Sequence, residues 1–323
     1  DHKSVEMLQK SLRYHAETAL LDRSYINSYL NSLTVASALV YECRSEEDLI
    51  ARLSSAERYF LDCTLINSKD QRCFNNYFQI YARAAYRTFL SGRDAQPRVQ
   101  RALQHLALTR QLGQKLQDAE GHAPMTYLVQ ARDLLRKKLS PAASLAQLDA
   151  ALVDCFALAP EDVLCRTLAA QALWARADWQ AAQHLPFVET LTAALAKARV
   201  AAESPEISPD AWQTLAETQL RIAQSTQAGI ARTLHINEGL AALQKLFSIN
   251  PNHALGLITQ GQLLLLRAQG EQVPSQKRQL AADAAASLER GLQRDPFLRP
   301  AFSVVLAEAQ ALVLRGAPQP PSR

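Results

Sequence analysis

Glycine is scarce in this chain, ten residues in 323, and no run alternates polar and apolar residues between turn formers. Strands need that period of two, so β architecture is excluded and an all-helical chain is expected. Catalytic signatures are missing as well: there is no glycine-rich phosphate loop, no His-Glu-x-x-His, no Cys-x-x-Cys and no nucleophile elbow. The seven histidines are scattered singly, so no metal site is expected, no cofactor is implied, and the chain reads as non-catalytic. The net charge is only +4, with acids and bases alternating throughout, which excludes the clustered basic face of a nucleic-acid binder. No apolar stretch is expected to reach the ~18–20 residues of a membrane span, so membrane insertion is not expected. The densest apolar run, Leu263 to Leu266, reads as a helix seam.

What the sequence does contain is repetition. Trp212-x-x-Leu215-Ala216 is followed by Gly239-x-x-x-Leu243-x-x-Leu246-Phe247 and Asn250-Pro251. The order returns as Leu257-x-x-Gln260-Gly261, Ala284-x-x-x-Leu288-x-x-Gly291-Leu292 and Asp295-Pro296, 45 residues later. Prolines 160, 205, 251 and 296 keep the same time, at steps of 45, 46 and 45. Each copy reads as two amphipathic helices, with Ala216, Gly239, Gly261 and Ala284 where helices must approach closely. Proline then ends each copy and is expected to start the next helix. A fixed period of this size marks a stacked repeat, in which each unit touches only its neighbours, so no interior domain boundary is expected.

The order aromatic, Leu, Gly or Ala, then Ala, aromatic or Leu, Ala, then Pro resembles the tetratricopeptide (TPR) repeat, whose usual period is 34. The extra residues here, as in 267–278 and 91–101, fall between the two helices and imply that both are longer by a turn or more. This longer form is similar to the TPR regions C-terminal to the kinase domain of many bacterial serine/threonine protein kinases. The resemblance implies a right-handed TPR-like α-solenoid of six repeats, about 25–68, 71–114, 123–160, 161–205, 209–251 and 254–296. An N-terminal helix would precede it over 1–24, and a capping helix over 297–315 and a disordered tail over 316–323 would close it. Gly121 and Pro124 are expected to form a joint that opens the third repeat, and Ser140 and Pro141 to start its second helix.

Two sets of residues could carry function. Cys63 and Cys73 straddle one repeat joint, and Cys155 and Cys165 the equivalent later one, with five residues on either side of each turn. Residues equidistant from the turn of an antiparallel hairpin lie side by side, so both pairs could be disulfides. That would require an oxidising compartment; the alternative is four small core residues, and Cys43 is left over in either case. In TPR proteins the first helices line a concave groove where asparagines commonly hold a ligand. The resemblance therefore points to Asn27 and Asn75, with Gln79 and Gln262, as groove residues. Arg83, Arg132 and Arg221 stand at comparable points of their helices and would favour an anionic or carboxylate ligand.

The expected function is binding of a protein or peptide partner, as a sensor or docking domain of a membrane-anchored bacterial serine/threonine kinase in the periplasm, with room for a homodimer. Any kinase domain, membrane segment or signal peptide would lie upstream of Asp1. The alternative is a cytoplasmic adaptor or assembly chaperone without a kinase.

Overall fold

The computed structural model describes residues 2–113 and 115–315; the tail at 316–323 lies outside them. The chain divides into two compact units, Asp1–Pro160 and Glu161–Arg323. The division falls at Pro160, a repeat end, where an array held only through nearest neighbours divides most readily.

The first unit contains α1 (His2–Leu21), α2 (Ile26–Val40), α3 (Glu46–Ile66), α4 (Gln71–Leu90), α5 (Gln96–Leu112), α6 (Gln117–Arg136) and α7 (Ala142–Leu158). The second contains α8 (Val163–Ala182), α9 (Val188–Ala202), α10 (Pro209–Ser225), α11 (Ile230–Ile249), α12 (Ala254–Gly270), α13 (Pro274–Arg294), a 3-10 turn at Pro296–Leu298 and α14 (Arg299–Arg315). Within each unit successive helices form antiparallel hairpins. First helices pack on first helices: α2 on α4 and α4 on α6 in one unit, α8 on α10 and α10 on α12 in the other. This is an all-α array of TPR-like hairpins, with no strand among the described residues. The extra residues of each repeat extend the helices: α12 runs to Gly270 and α13 starts at Pro274.

Pro160, Pro205 and Pro251 mark turns rather than helix starts, whereas Pro296 opens the 3-10 turn that leads into α14, as expected. A side chain just beyond each turn caps the next helix: Asp162 accepts from Cys165 N at 3.0 Å, Ser208 from Ala211 N at 3.4 Å and His253 Nδ1 from Gly256 N at 3.0 Å. Each cap satisfies an N–H that the first turn leaves without a partner, at positions that keep the repeat period. At the third repeat's second helix, Ser140 Oγ accepts from Ala142 N at 3.4 Å, and α7 begins at Ala142, one residue after Pro141.

The expected joint at Gly121 and Pro124 is absent; α6 runs through both from Gln117. Proline removes one helical hydrogen bond and crowds the preceding turn. Here Ala119, Ala123 and Pro124 are buried, and Arg110 anchors the fully buried Glu120 of the same stretch, so packing outweighs that cost.

The period is also written in side-chain bonds between successive first helices. Gln171 Nε2 donates to Thr214 Oγ1 at 2.9 Å, Trp174 Nε1 to Thr218 Oγ1 at 2.9 Å and Gln213 Nε2 to Thr259 Oγ1 at 2.8 Å, over separations of 43, 44 and 46 residues. Trp174 is 1% exposed and lies with Ala177, Leu191, Leu195 and Ile222. Trp212 and Leu215 pack against the adjoining cluster of Leu220, Ile236, Leu243, Leu246 and Leu263.

One expectation is corrected near the C-terminus. Pro296–Leu314 spans 19 residues at a mean hydropathy of 1.5, and so has the length and composition of a membrane span. Only Arg299 and Glu308 interrupt it. In the fold Leu306 and Ala309 are buried on the side facing α13, while Val304 and Leu314 are each 75% exposed.

A Cβ on Gly261 of α12 would lie 2.5 Å from Leu288 Cγ and 2.9 Å from Ala284 O of α13. Gly261→Ala should therefore destabilise by about 1–3 kcal/mol. Gly121, inside α6 with open space around it, should gain about 0.5–1 kcal/mol on the same change. Chemical denaturation of both variants checks the contrast.

His105 of α5 is 4% exposed, lies edge-on to Phe60 at 5.1 Å and Tyr77 at 4.7 Å, and has no hydrogen-bond partner at either ring nitrogen. Burial, reinforced by the charge of Arg101, pushes its pKa down to about 4. The folded state therefore holds the neutral ring. Its contribution is complete above the unfolded value of about 6.5 and is lost as pH falls from there toward 4, by up to about 3 kcal/mol. Denaturation midpoints between pH 7 and 4 should show this loss in the parent chain and lack it in His105→Leu.

Candidate ligand-binding site

The N-terminal ends of α2, α4 and α6 border an open pocket of about 390 Å3 lined by Leu30, Arg72, Asn75, Asn76, Leu116, Gln117 and Asp118. Its middle wall, the first turns of α4, is held from two sides. Asp70 caps the helix by accepting from Arg72 N at 3.0 Å, and its carboxylate also accepts from Arg72 Nε at 3.0 Å and Nη2 at 2.7 Å. These bonds hold the Asp70 carboxyl below its usual pKa. Cys73, one residue on, is disulfide-bonded to Cys63 of α3, with a Cα–Cα separation of 6.1 Å.

Asn76 reaches across to α2, donating from Nδ2 to Leu30 O at 3.2 Å and Thr34 Oγ1 at 3.3 Å. Asn75, 5% exposed, has a buried Oδ1 without any hydrogen-bond partner. A buried acceptor left unmatched costs about 1–3 kcal/mol, which a ligand donor would recover.

The structure places the expected groove residues differently from one another. Asn75 lines the pocket. Asn27 is exposed in the first turn of α2 and does not, because Asn76 rather than Asn75 is the residue in register with α2. Gln79 and Gln262 are half-buried on α4 and α12, and neither lines it.

The three arginines are engaged by neighbours. Arg83 sits 5.2 Å from the Tyr41 ring centroid and 3.4 Å from His122 Nε2. Arg132 lies 4.9 Å over Phe89. Arg221 bonds Asp178 at 3.0 Å and Glu217 at 3.2 Å, and lies 4.9 Å over Trp174. Of the three, Arg221 alone has carboxylate partners on its guanidinium, whereas Arg83 and Arg132 rest against aromatic rings. Sequence reasoning missed Arg72, Asn76, Gln117 and Asp118. The pair Asp70-x-Arg72 before an asparagine doublet was the available signal for two of them.

Cys155 and Cys165 are 2% and 1% exposed. Cys43 is a free thiol, fully buried, and burial with the nearby Asp48 charge pushes its pKa up to about 12, which leaves it without nucleophilic character. No group of three or more potential metal ligands occurs among the described residues.

No protein-family model matches the chain, and no curated protein matches its sequence. Among solved structures it is similar to YrrB, described as a TPR protein with an unusual peptide-binding site. That match has 15% identity over 75% of this chain and 95% of that one, with a TM-score of 0.35. It is also similar to the Cut9-Hcn1 hetero-tetramer of the APC/C, at 12% identity over 92% of this chain and 54% of that one, with a TM-score of 0.44.

Closing a loop of 10 residues restricts the unfolded chain by about 2–3 kcal/mol in the chain-entropy treatment. Replacing Cys63 and Cys73 together by alanine should lower stability by about that amount, read from denaturant midpoints without reductant. Cys43→Ala, which removes no cross-link, provides the comparison.

Proposed function

We propose that this chain is a docking module that binds an extended segment of a partner protein. The observation that carries this reading is the buried, unmatched Oδ1 of Asn75 in a pocket lined by three consecutive first helices. A peptide supplies backbone N–H donors at regular intervals, and the other polar side chains of the wall provide further points of attachment.

In its finer form the proposal is a sensor or docking domain of a membrane-anchored bacterial serine/threonine kinase, on the extracytoplasmic side. The long-repeat pattern supports the kinase link. The Cys63–Cys73 bond supports the compartment, since such staples persist where the surroundings are oxidising. Binding there would act on the kinase by favouring one state of the array over another.

Peptides selected from a random library against the full chain test the binding step. Asn75→Ala should weaken the selected peptides by about tenfold, the worth of one or two hydrogen bonds, with the melting temperature unchanged or higher. Unaltered affinity in Asn75→Ala would remove this pocket from the reading. Thiol alkylation of protein taken from its native cell tests the compartment: Cys63 and Cys73 should resist labelling until a reductant is added, and immediate labelling under denaturing conditions would favour the cytoplasmic adaptor.

A further inference from the structure

We infer that the pocket between α2, α4 and α6 receives a basic side chain, lysine or arginine, of the bound segment. This rests on the peptide-binding reading above and specifies its ligand.

The lining offers polar atoms of both kinds, since Gln117 and Asn75 carry amide donors as well as acceptors, and charge decides between ligands. Asn75 Oδ1 is buried and unmatched. The Nδ2 of Asn76 is committed to Leu30 and Thr34, so the atom it can offer is Oδ1. Asp118 contributes a carboxylate, while its backbone carbonyl is engaged separately by His122 Nδ1 at 2.9 Å. The one cation in the lining, Arg72, is neutralised by its two-pronged bond to Asp70. The pocket with its immediate partners therefore carries one uncompensated negative charge, that of Asp118.

The amino end of α6 would by itself favour an anion, because its first N–H groups are unsatisfied and no side chain caps it. Asp118 sits in that first turn and offsets the partial positive charge. A carboxylate ligand would meet Asp118 and the asparagine oxygens, whereas an ammonium or guanidinium group would supply donors to all three. The remaining wall fits the rest of such a side chain: Leu30 and Leu116 provide apolar surface for its methylene stem while the charged head reaches the oxygens.

The test uses the full chain and three capped amino acids: the N-acetyl methylamides of arginine, glutamate and norleucine. Amide chemical-shift changes at residues 72–76 and 116–118 are followed against probe concentration. The arginine probe is expected to saturate these residues at least tenfold more tightly than either of the others. Asp118→Asn should erase most of that preference, and Asp118→Lys, checked for folding by circular dichroism, should reverse it.

Equal or tighter binding of the glutamate or norleucine probe at these residues would overturn the basic-side-chain assignment and leave a peptide pocket in place. If no probe shifts them while library-selected peptides still bind in an Asn75-dependent way, the assignment also falls and the docking reading stands. Failure of both probes and selected peptides removes both.

Discussion

Everything in this chain follows from the inability of one helical hairpin to cover its own apolar face. Two amphipathic helices bury the surfaces they turn to each other, but the side facing along the array stays open until another hairpin closes it. The chain meets that requirement with a repeat longer than the usual TPR, and the added residues lengthen helices that then share more surface. The 42–46-residue bonds, such as Asn76 to Thr34 and Gln213 to Thr259, show how register is kept. They tie polar side chains of one first helix to the next, so a slip by one turn would leave several buried polar groups unmatched.

The same packing determines where small residues stand. Ala216, Gly261, Gly239 and Ala284 were legible in the sequence as contact points because their spacing repeats and large apolar residues flank them. Structure gives the reason in distances: a side chain on Gly239 would meet Leu263 at 2.9 Å, and one on Gly291 would meet Ala254 O at 2.9 Å. The helix-starting caps Asp162, Ser208 and His253 recur at the same period, but the conspicuous prolines stood in their place as the expected helix starts.

What the sequence concealed is non-local. Arg221 looked like an exposed groove cation, yet its partner Asp178 lies 43 residues away on the preceding first helix. Asn27 and Asn75 matched in local sequence, but register between helices is decided by contacts, and those align Leu30 with Asn76. Pro124 reads as a helix boundary by every local rule, and only the burial of its neighbours and the Arg110–Glu120 pair explain why α6 passes through it. The pocket was partly legible. Asn75 was visible as a candidate, whereas Asp118 and Leu116 enter from a helix whose start could not be located while Pro124 appeared to open it.

Linear arrays are open to unzipping from their ends, because a terminal hairpin has a neighbour on one side only. Cys63 and Cys73 join the second helix of one hairpin to the first helix of the next, so the covalent link crosses a boundary between repeats. An opening that starts at the amino end cannot separate these two hairpins as independent pieces. The staple thereby merges them into one cooperative segment, and the walls of the pocket at α2 and α4 lose or keep their structure together.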